Sequence, residues 1–109
     1  MIKVMYAARR RADMSFDEFR AYWLTTHADL MMKVPELQRY VISIAHDSEA
    51  GGGDQRPFDG FAEVAYADEE AMRRAMESPE AEAMLADEVN LFDTSSSVRL
   101  VVDDVPLLA

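Results

Sequence analysis

Apolar residues recur in four short segments, and their spacing predicts four β-strands. The first strand covers residues 2–8 and the second covers residues 37–46. The third lies within "DGFAEVAYA", residues 59–67, and the fourth within "SSVRLVVDDV", residues 96–105. All four segments contain β-branched or aromatic residues, which favour extended backbone.

The stretch between the first two strands carries the signals of a helix. Ser15 precedes an apolar run and Glu18 follows it three residues later, a spacing that predicts a capping box. The helix is predicted to run to about Lys33. Pro35 ends it, because the residue before a proline is driven out of the helical region.

A second helical stretch follows the third strand. Asp68 is a predicted N-cap for "EEAMRRAMES", whose leading carboxylates suit a helix N-terminus. Ser78 and Pro79 then start another helical piece that is predicted to reach about Val89, with proline at its favoured first position.

The predicted element order is strand, helix, strand, strand, helix, strand. This order is typical of the α+β, ferredoxin-like βαββαβ fold, in which helices cover one face of a four-stranded antiparallel sheet. The predicted strands are apolar on both faces, as Val4 and Tyr6 alternate with Met5 and Ala7. An uncovered apolar sheet face is rare in monomers, so we expect a homodimer that packs sheet against sheet.

The length and composition fit one globular domain over residues 1–109. Acidic residues outnumber basic ones by 21 to 11, for a net charge of -10, so phosphate backbones and anionic membranes are not expected partners. The chain has no cysteine, which excludes disulfides and thiolate chemistry. The short apolar start, with its charges after it, does not match a signal peptide, and we expect a soluble, cytoplasmic protein.

One histidine lies on the predicted buried face of the first helix. At 100° per residue, Phe19, Trp23, Thr26 and His27 share a sector, and Trp23 and His27 are neighbours at a spacing of four. One interpretation is a core histidine that hydrogen-bonds a backbone carbonyl or the hydroxyl of Tyr6. The other is an imidazole in an apolar slot that stays neutral and acts as a general base, with Trp23 as a flat wall.

Other candidate sites have less support from spacing. His46 and Glu63 could complete a two-histidine, one-carboxylate iron site with His27, although Glu63 is better explained as an ion-pair partner of Arg39 or Arg99. The glycine-rich stretch at residues 47–58 lacks a phosphate-binding pattern and is a candidate lid.

The motifs together resemble the EthD domain family. The resemblance is carried by "MSFDEFRAYWLTTHADL", "KVPELQRYV" and "FDGFAEVAYADEEAMRRAMESPEAEAMLADE". The family hallmark is a tryptophan followed four residues later by His-Ala-Pro-Leu, and then a Pro-Gly-Leu turn. Asp29 and Glu36 replace the proline and the glycine of these motifs, and Ala65-Tyr66 stand where the family often has Trp-Phe.

The resemblance implies a ferredoxin-like fold that dimerises into an α/β barrel. It also implies a pocket between helices and sheet with His27 on its inner wall. Relatives in the wider superfamily include cofactor-free monooxygenases, lactone isomerases and dehydratases. Asp29 falls on the solvent side of the helical wheel, so its departure from the motif should leave the pocket intact.

We therefore expect a cofactor-independent enzyme that acts on an apolar aromatic or lactone-like metabolite, with no metal. His27 is the predicted general base, Trp23 and Tyr6 shape the pocket, and Tyr66 or His46 are possible secondary donors. One alternative is an accessory protein that binds a hydrophobic metabolite for an oxygenase. Another is a haem protein with His27 as the axial ligand.

Overall fold

The structure is a computed structural model that describes residues 1–108 of the predicted 1–109 domain, without the side chain of Asp54. The four strands are β1 (Ile2–Ala8), β2 (Arg39–Ile44), β3 (Gly60–Tyr66) and β4 (Val98–Asp103). They form one antiparallel sheet in the order β2-β3-β1-β4. The predicted four-stranded ferredoxin-like sheet is confirmed.

The first helical stretch is continuous but not uniform. Helix α1 (Phe16–Tyr22) begins at Ser15, where the predicted capping box with Glu18 is present, and helix α2 (Ala28–Met32) ends before Pro35. A π-helical segment (Trp23–His27) joins them, and the Ala28 amide donates to the Trp23 carbonyl five residues back. This widened turn alters the phase of the helix, and Thr26, expected on the buried face, is exposed.

The second helical stretch follows the local capping signals closely. Helix α3 (Glu69–Met76) is capped by the side chain of Asp68, and helix α4 (Pro79–Asp87) by that of Ser78. A 3₁₀ turn (Glu88–Asn90) extends α4. Two further 3₁₀ turns, Glu49–Gly51 and Gly53–Gln55, lie in the long segment after β2.

Strand β2 is shorter than the predicted 37–46 because the backbone turns at both of its ends. Before it, Glu36 has a φ of 72°, a left-handed conformation that favours glycine. The Glu36 carboxylate accepts hydrogen bonds from Arg74 of α3, the closest at 3.0 Å, which ties this turn to the second helical stretch. After it, His46 already belongs to the following turn.

The helices cover one face of the sheet and form a layered core with it. The strand register aligns Tyr6 with Ala62 and Arg99, and Val4 with Val64 and Val101, on the helix-covered face. Two groups of buried residues fill this layer. One surrounds Trp23 near β1, and the other surrounds Tyr66 near α3 and α4.

The opposite face of the sheet is apolar and bare. We call it the outer face; its exposed or half-buried apolar members are Met5, Ala7, Val41, Phe61, Val98, Leu100 and Val102. Glu63 also lies on this face, where it pairs with Lys3 and Arg39, so the predicted pairing with Arg39 is confirmed.

Among residues 1–108, every helix is too short or too polar to cross a lipid bilayer.

Candidate functional site

A cavity of about 270 Å³ lies between the helices and the sheet, where the two core groups meet. Its walls are almost entirely apolar or aromatic. The helical layer and the segment after it contribute Trp23, His27, Met31, Met72, Met76, Met84, Leu85, Glu88 and Phe92. The strands contribute Val4, Tyr6, Tyr40, Ala62, Val64, Tyr66, Arg99 and Val101.

The first helical stretch presents a residue to this cavity at every fourth position: Trp23, His27 and Met31. Trp23 is fully buried and its ring lies against the start of β3. A Cβ built on Gly60 would stand 2.8 Å from that ring and 2.7 Å from the carbonyl oxygen of Ser43. Glycine at residue 60 therefore permits the close approach that sets the depth of the helix over the sheet.

The imidazole of His27 is 4% exposed and is held by a carboxylate. Its Nδ1 lies 2.9 Å from Oδ2 of Asp87, the last residue of α4. The same carboxylate accepts hydrogen bonds through Oδ1 from the Tyr22 hydroxyl at 2.6 Å and from Asn90 Nδ2 at 2.9 Å. The edge of the His27 ring also packs against Phe92, with the ring centroids 5.3 Å apart.

These hydrogen bonds favour the ionised form of the Asp87 carboxyl. Burial raises its pKa, but the donors Tyr22, Asn90 and His27 outweigh burial and hold the pKa below its ordinary value. The carboxylate form raises the pKa of the Tyr22 hydroxyl in turn, so Tyr22 remains a donor. An ionised Asp87 favours the histidine tautomer with its proton on Nδ1, which leaves the lone pair on Nε2.

Nε2 of His27 is the chemically available atom of this site. No described residue forms a hydrogen bond with it. It is not one of the sealed side-chain atoms that lack a partner, so it keeps some accessible surface. His27 lines the cavity, and Nε2 is its ring nitrogen that Asp87 does not hold. Neither predicted structural partner of His27, a backbone carbonyl or the Tyr6 hydroxyl, is the group that holds the ring.

Three tyrosines line the cavity, and their hydroxyl groups stay protonated at neutral pH. Burial raises the pKa of Tyr6 and of Tyr66, and it raises the pKa of Tyr40 to about 12. They can donate hydrogen bonds to a guest, but they are poor bases. The Tyr66 hydroxyl is fully buried and has no partner among the described residues.

The cavity opens beside the edge strand β4. Leu85 is 38% exposed and Val101 is 49% exposed, although both also line the cavity. Arg99 lies at this opening, with its guanidinium 4.7 Å from the Tyr6 ring centroid and paired with the buried carboxylate of Glu88. Because the two charges pair with each other, the entrance carries no unpaired charge from these residues and is otherwise apolar.

The structure brings His27, Trp23, Tyr6 and Tyr66 together around one cavity, but it does not bring His46 there. His46 is exposed and its Nδ1 lies 2.7 Å from the hydroxyl of Ser48, in the turn after β2. Nor do residues 47–58, as far as they are described, line the cavity as a lid would.

The alternative prediction of an iron site formed by His27, His46 and Glu63 is wrong, because these side chains do not come together. Glu63 lies on the outer face of the sheet, and His46 lies in an exposed turn, so neither shares the cavity with His27. Among the side chains that the structure describes, which do not include that of Asp54, no group of three or more histidine, aspartate or glutamate residues is arranged to hold a metal ion.

Sequence reasoning missed the partners of His27. Asp87 comes three residues after Met84 and four before Leu91, so it falls on the apolar face of α4 and its extension. A carboxylate at such a position requires a buried donor. This is the signal that could have led from Asp87 to the only histidine on a buried helical face.

Comparisons with known proteins place this site in a family. A comparison with curated protein sequences finds no match. An EthD family protein from Bacillus halodurans C-125 superposes with a TM-score of 0.80 at 22% identity, over 96% of this chain and 99% of that one. A hydroxynitrile lyase from Passiflora edulis gives a TM-score of 0.74 at 11% identity, over 99% and 96% of the two chains.

A third solved structure is described as a dimeric ferredoxin-like protein from Thermobifida fusca YX. It superposes with a TM-score of 0.70 at 19% identity, over 94% of this chain and 90% of that one. These structures share the fold of the chain. In sequence, the profile of the EthD domain matches residues 11–95, which include both His27 and Asp87. The chain therefore belongs to the EthD domain family.

Proposed function

We propose that the protein is an enzyme that moves a proton on a small, apolar, oxygenated molecule, with His27 as general base and no cofactor in that step. The supporting observation is the pairing of His27 Nδ1 with Asp87 at 2.9 Å, which leaves Nε2 without a protein partner in a residue that lines an apolar cavity. Reactions of this type include enolisation, isomerisation and dehydration, in which a C–H proton leaves as an adjacent bond shifts or breaks.

The residues around the base suit this chemistry. As the substrate proton reaches Nε2, the ring becomes an imidazolium, and the ionised Asp87 beside Nδ1 stabilises that charge. The walls exclude most water, so the carboxylate acts in a medium of low polarity where its field is strong. A positioned base contributes about 10²- to 10⁴-fold to a proton transfer. Trp23 and Tyr6 give the cavity flat aromatic walls that suit a ring-shaped substrate.

Base-catalysed ring opening of 5-nitrobenzisoxazole tests this proposal without knowledge of the natural substrate. The base takes the proton from C3, the N–O bond breaks, and the coloured 2-cyano-4-nitrophenolate forms. We expect the protein to accelerate this reaction over buffer and His27→Ala to lower the rate at least about 10²-fold. His46→Ala, which removes the exposed histidine, is the matched control and should keep the rate.

Each outcome has a distinct meaning. A His27→Ala variant as fast as the unmodified protein contradicts His27 as the base. Saturable binding of 5-nitrobenzisoxazole without any acceleration favours the accessory-protein alternative, in which the cavity holds a metabolite without reacting. The visible absorbance of the purified protein tests the haem alternative, since a histidine-ligated haem has an intense absorption band.

We also propose that two copies pack through the outer face and form the dimeric α/β barrel. The support is the apolar character of that face, where Phe61 is 46% exposed and Leu100 is 61% exposed, together with the dimeric description of the Thermobifida fusca structure. Leu100→Lys should shift the molecular mass in light scattering from dimer to monomer. Val89→Lys, on the helical side, is the control and should leave the dimer intact. A wild-type monomer contradicts this proposal and leaves the one for His27 untouched.

A further inference from the structure

Tyr66 lines the cavity and carries a sealed hydroxyl that has no partner among the described residues. Tyr66 is the last residue of β3, is fully buried, and lines the cavity wall. Among the side-chain oxygens and nitrogens of the described residues, its hydroxyl is the single buried one without a hydrogen-bond partner. Buried polar groups in proteins almost always have a partner, so one that lacks it beside a cavity indicates a group supplied from outside.

No group of the described residues forms a hydrogen bond with this hydroxyl. The core group around Tyr66 consists of apolar residues, among them Met31, Ala75 and Met84. Burial raises the pKa of Tyr66, so its oxygen keeps the proton and donates it. The thioether side chains of Met31 and Met84 are adaptable, which lets the approach to the hydroxyl widen as a guest enters.

Tyr66 and His27 line the same cavity but pack with different core groups. Met31, one helical turn after His27, packs in the core group of Tyr66, whereas the ring of His27 packs on Phe92 in the other group. A cavity of about 270 Å³ equals the liquid volume of about nine water molecules, which suits a molecule of one or two fused rings. A molecule that fills the cavity contacts wall residues from both core groups.

We propose that the ligand of this cavity carries oxygen functions at two opposite ends, one of which accepts a hydrogen bond from the Tyr66 hydroxyl. The reacting end meets Nε2 of His27, and the remote oxygen fixes the orientation and register of the ring along the cavity. This substrate class rests on the proposed function of His27. Tyr66 is thus a specificity-determining residue that distinguishes dioxygenated rings from singly oxygenated ones.

The direct test uses three probes that differ only in hydroxyl number: naphthalene, 2-naphthol and 2,6-dihydroxynaphthalene. Calorimetry or fluorescence titration should show that the second hydroxyl strengthens binding to the wild type about 5- to 100-fold, the range for one buried hydrogen bond. Tyr66→Phe should abolish that gain and leave naphthalene binding unchanged. Tyr40→Phe is the control. Tyr40 also lines the cavity, but its hydroxyl is not a buried one without a partner, so this variant should retain the gain.

Thermal unfolding of the ligand-free protein gives a second readout. If the Tyr66 hydroxyl is unpaired, Tyr66→Phe should leave the melting temperature unchanged or raise it, whereas Tyr22→Phe, which removes a donor to Asp87, should lower it. A melting temperature that falls equally in both variants shows a partner already present and overturns the proposal.

The binding outcomes separate this proposal from that for His27. A second hydroxyl that gives no gain in the wild type, or a gain that survives in Tyr66→Phe, overturns the role of Tyr66 and leaves His27 as base unaffected. Loss of the gain in Tyr40→Phe but not in Tyr66→Phe also overturns it, since it assigns the contact to the other tyrosine. No binding of any probe to the wild type contradicts both the ligand class and the cavity as a binding site.

Discussion

The two histidines of the chain lie in regions that use the same side chain in opposite ways. The helical stretch 16–32 buries His27 against a carboxylate that comes from a different helix. The segment 45–59 after β2 exposes His46, whose ring hydrogen-bonds the hydroxyl of Ser48 two residues away. A histidine can act as a functional residue when a distant element holds one ring nitrogen and the other is left free beside a cavity. The residue type alone does not indicate this.

The largest expected effect breaks the pairing that distinguishes the first region. Asp87→Asn keeps the shape of the side chain but removes its charge, so it no longer stabilises the imidazolium or favours the tautomer with Nδ1 protonated. We expect a fall of about 10²-fold or more in the rate of 5-nitrobenzisoxazole ring opening. An unchanged rate with unchanged circular dichroism would show that the carboxylate only supports the fold.

A second prediction concerns the point at which the two regions meet. Gly60→Ala places a methyl group within 3 Å of both the Trp23 ring and the Ser43 carbonyl, so the helix or the strand must shift. We expect a loss of about 1–3 kcal/mol in the free energy of unfolding, the usual cost of overpacking. Chemical denaturation measures it. Gly53→Ala is the comparison in the exposed segment: its Cβ meets nothing within 4 Å, but the φ of 53° is left-handed, so a loss of about 1 kcal/mol there reflects backbone strain without a clash.

The pH dependence of stability gives a smaller effect. The folded pKa of Asp87 lies below its ordinary value of 3.8, so its stabilising contribution is present above that pH and is lost as the pH falls through the folded value. Urea unfolding from about pH 7 to about pH 3 should therefore show a shallower loss of stability in Asp87→Asn than in the wild type. Identical slopes would mean that Asp87 does not gain its hydrogen bonds on folding.

The smallest effect belongs to the second region. His46→Ala removes an exposed ring with one local contact, and we expect a change within about 0.5 kcal/mol in stability and no change in probe binding. Parallel titration with 2-naphthol checks this. Weaker binding in this variant would mean that the segment after β2 closes over the cavity in solution.

Features encoded by neighbouring residues were predictable from the sequence. Ser15 with Glu18, Asp68, and Ser78 with Pro79 act within one turn, and each defines a helix start at the expected residue. Their side chains satisfy the free amides of the first turn, so the signal and the structure are the same local interaction. The βαββαβ order of elements along the chain then follows from the alternation of predicted strands and helices.

The site depends on contacts that no local pattern encodes. His27 and Asp87 are 60 residues apart, and only the packing of α4 against the first helical stretch brings them together. The π-helical turn was also missed, because apolar spacing indicates a helix but not an insertion of one residue in its turn. His46 was misplaced among the site residues because β2 ends two residues earlier than its apolar run.

Nitrogen-15 NMR of the neutral His27 side chain tests the central claim most directly. The claim is that Asp87 holds Nδ1 and that a guest in the cavity reaches Nε2. The account predicts a tautomer protonated at Nδ1, with a lone-pair resonance from Nε2 that shifts when 2-naphthol is added. A proton on Nε2, or an Nε2 resonance that stays unchanged while 2-naphthol binds, would contradict it.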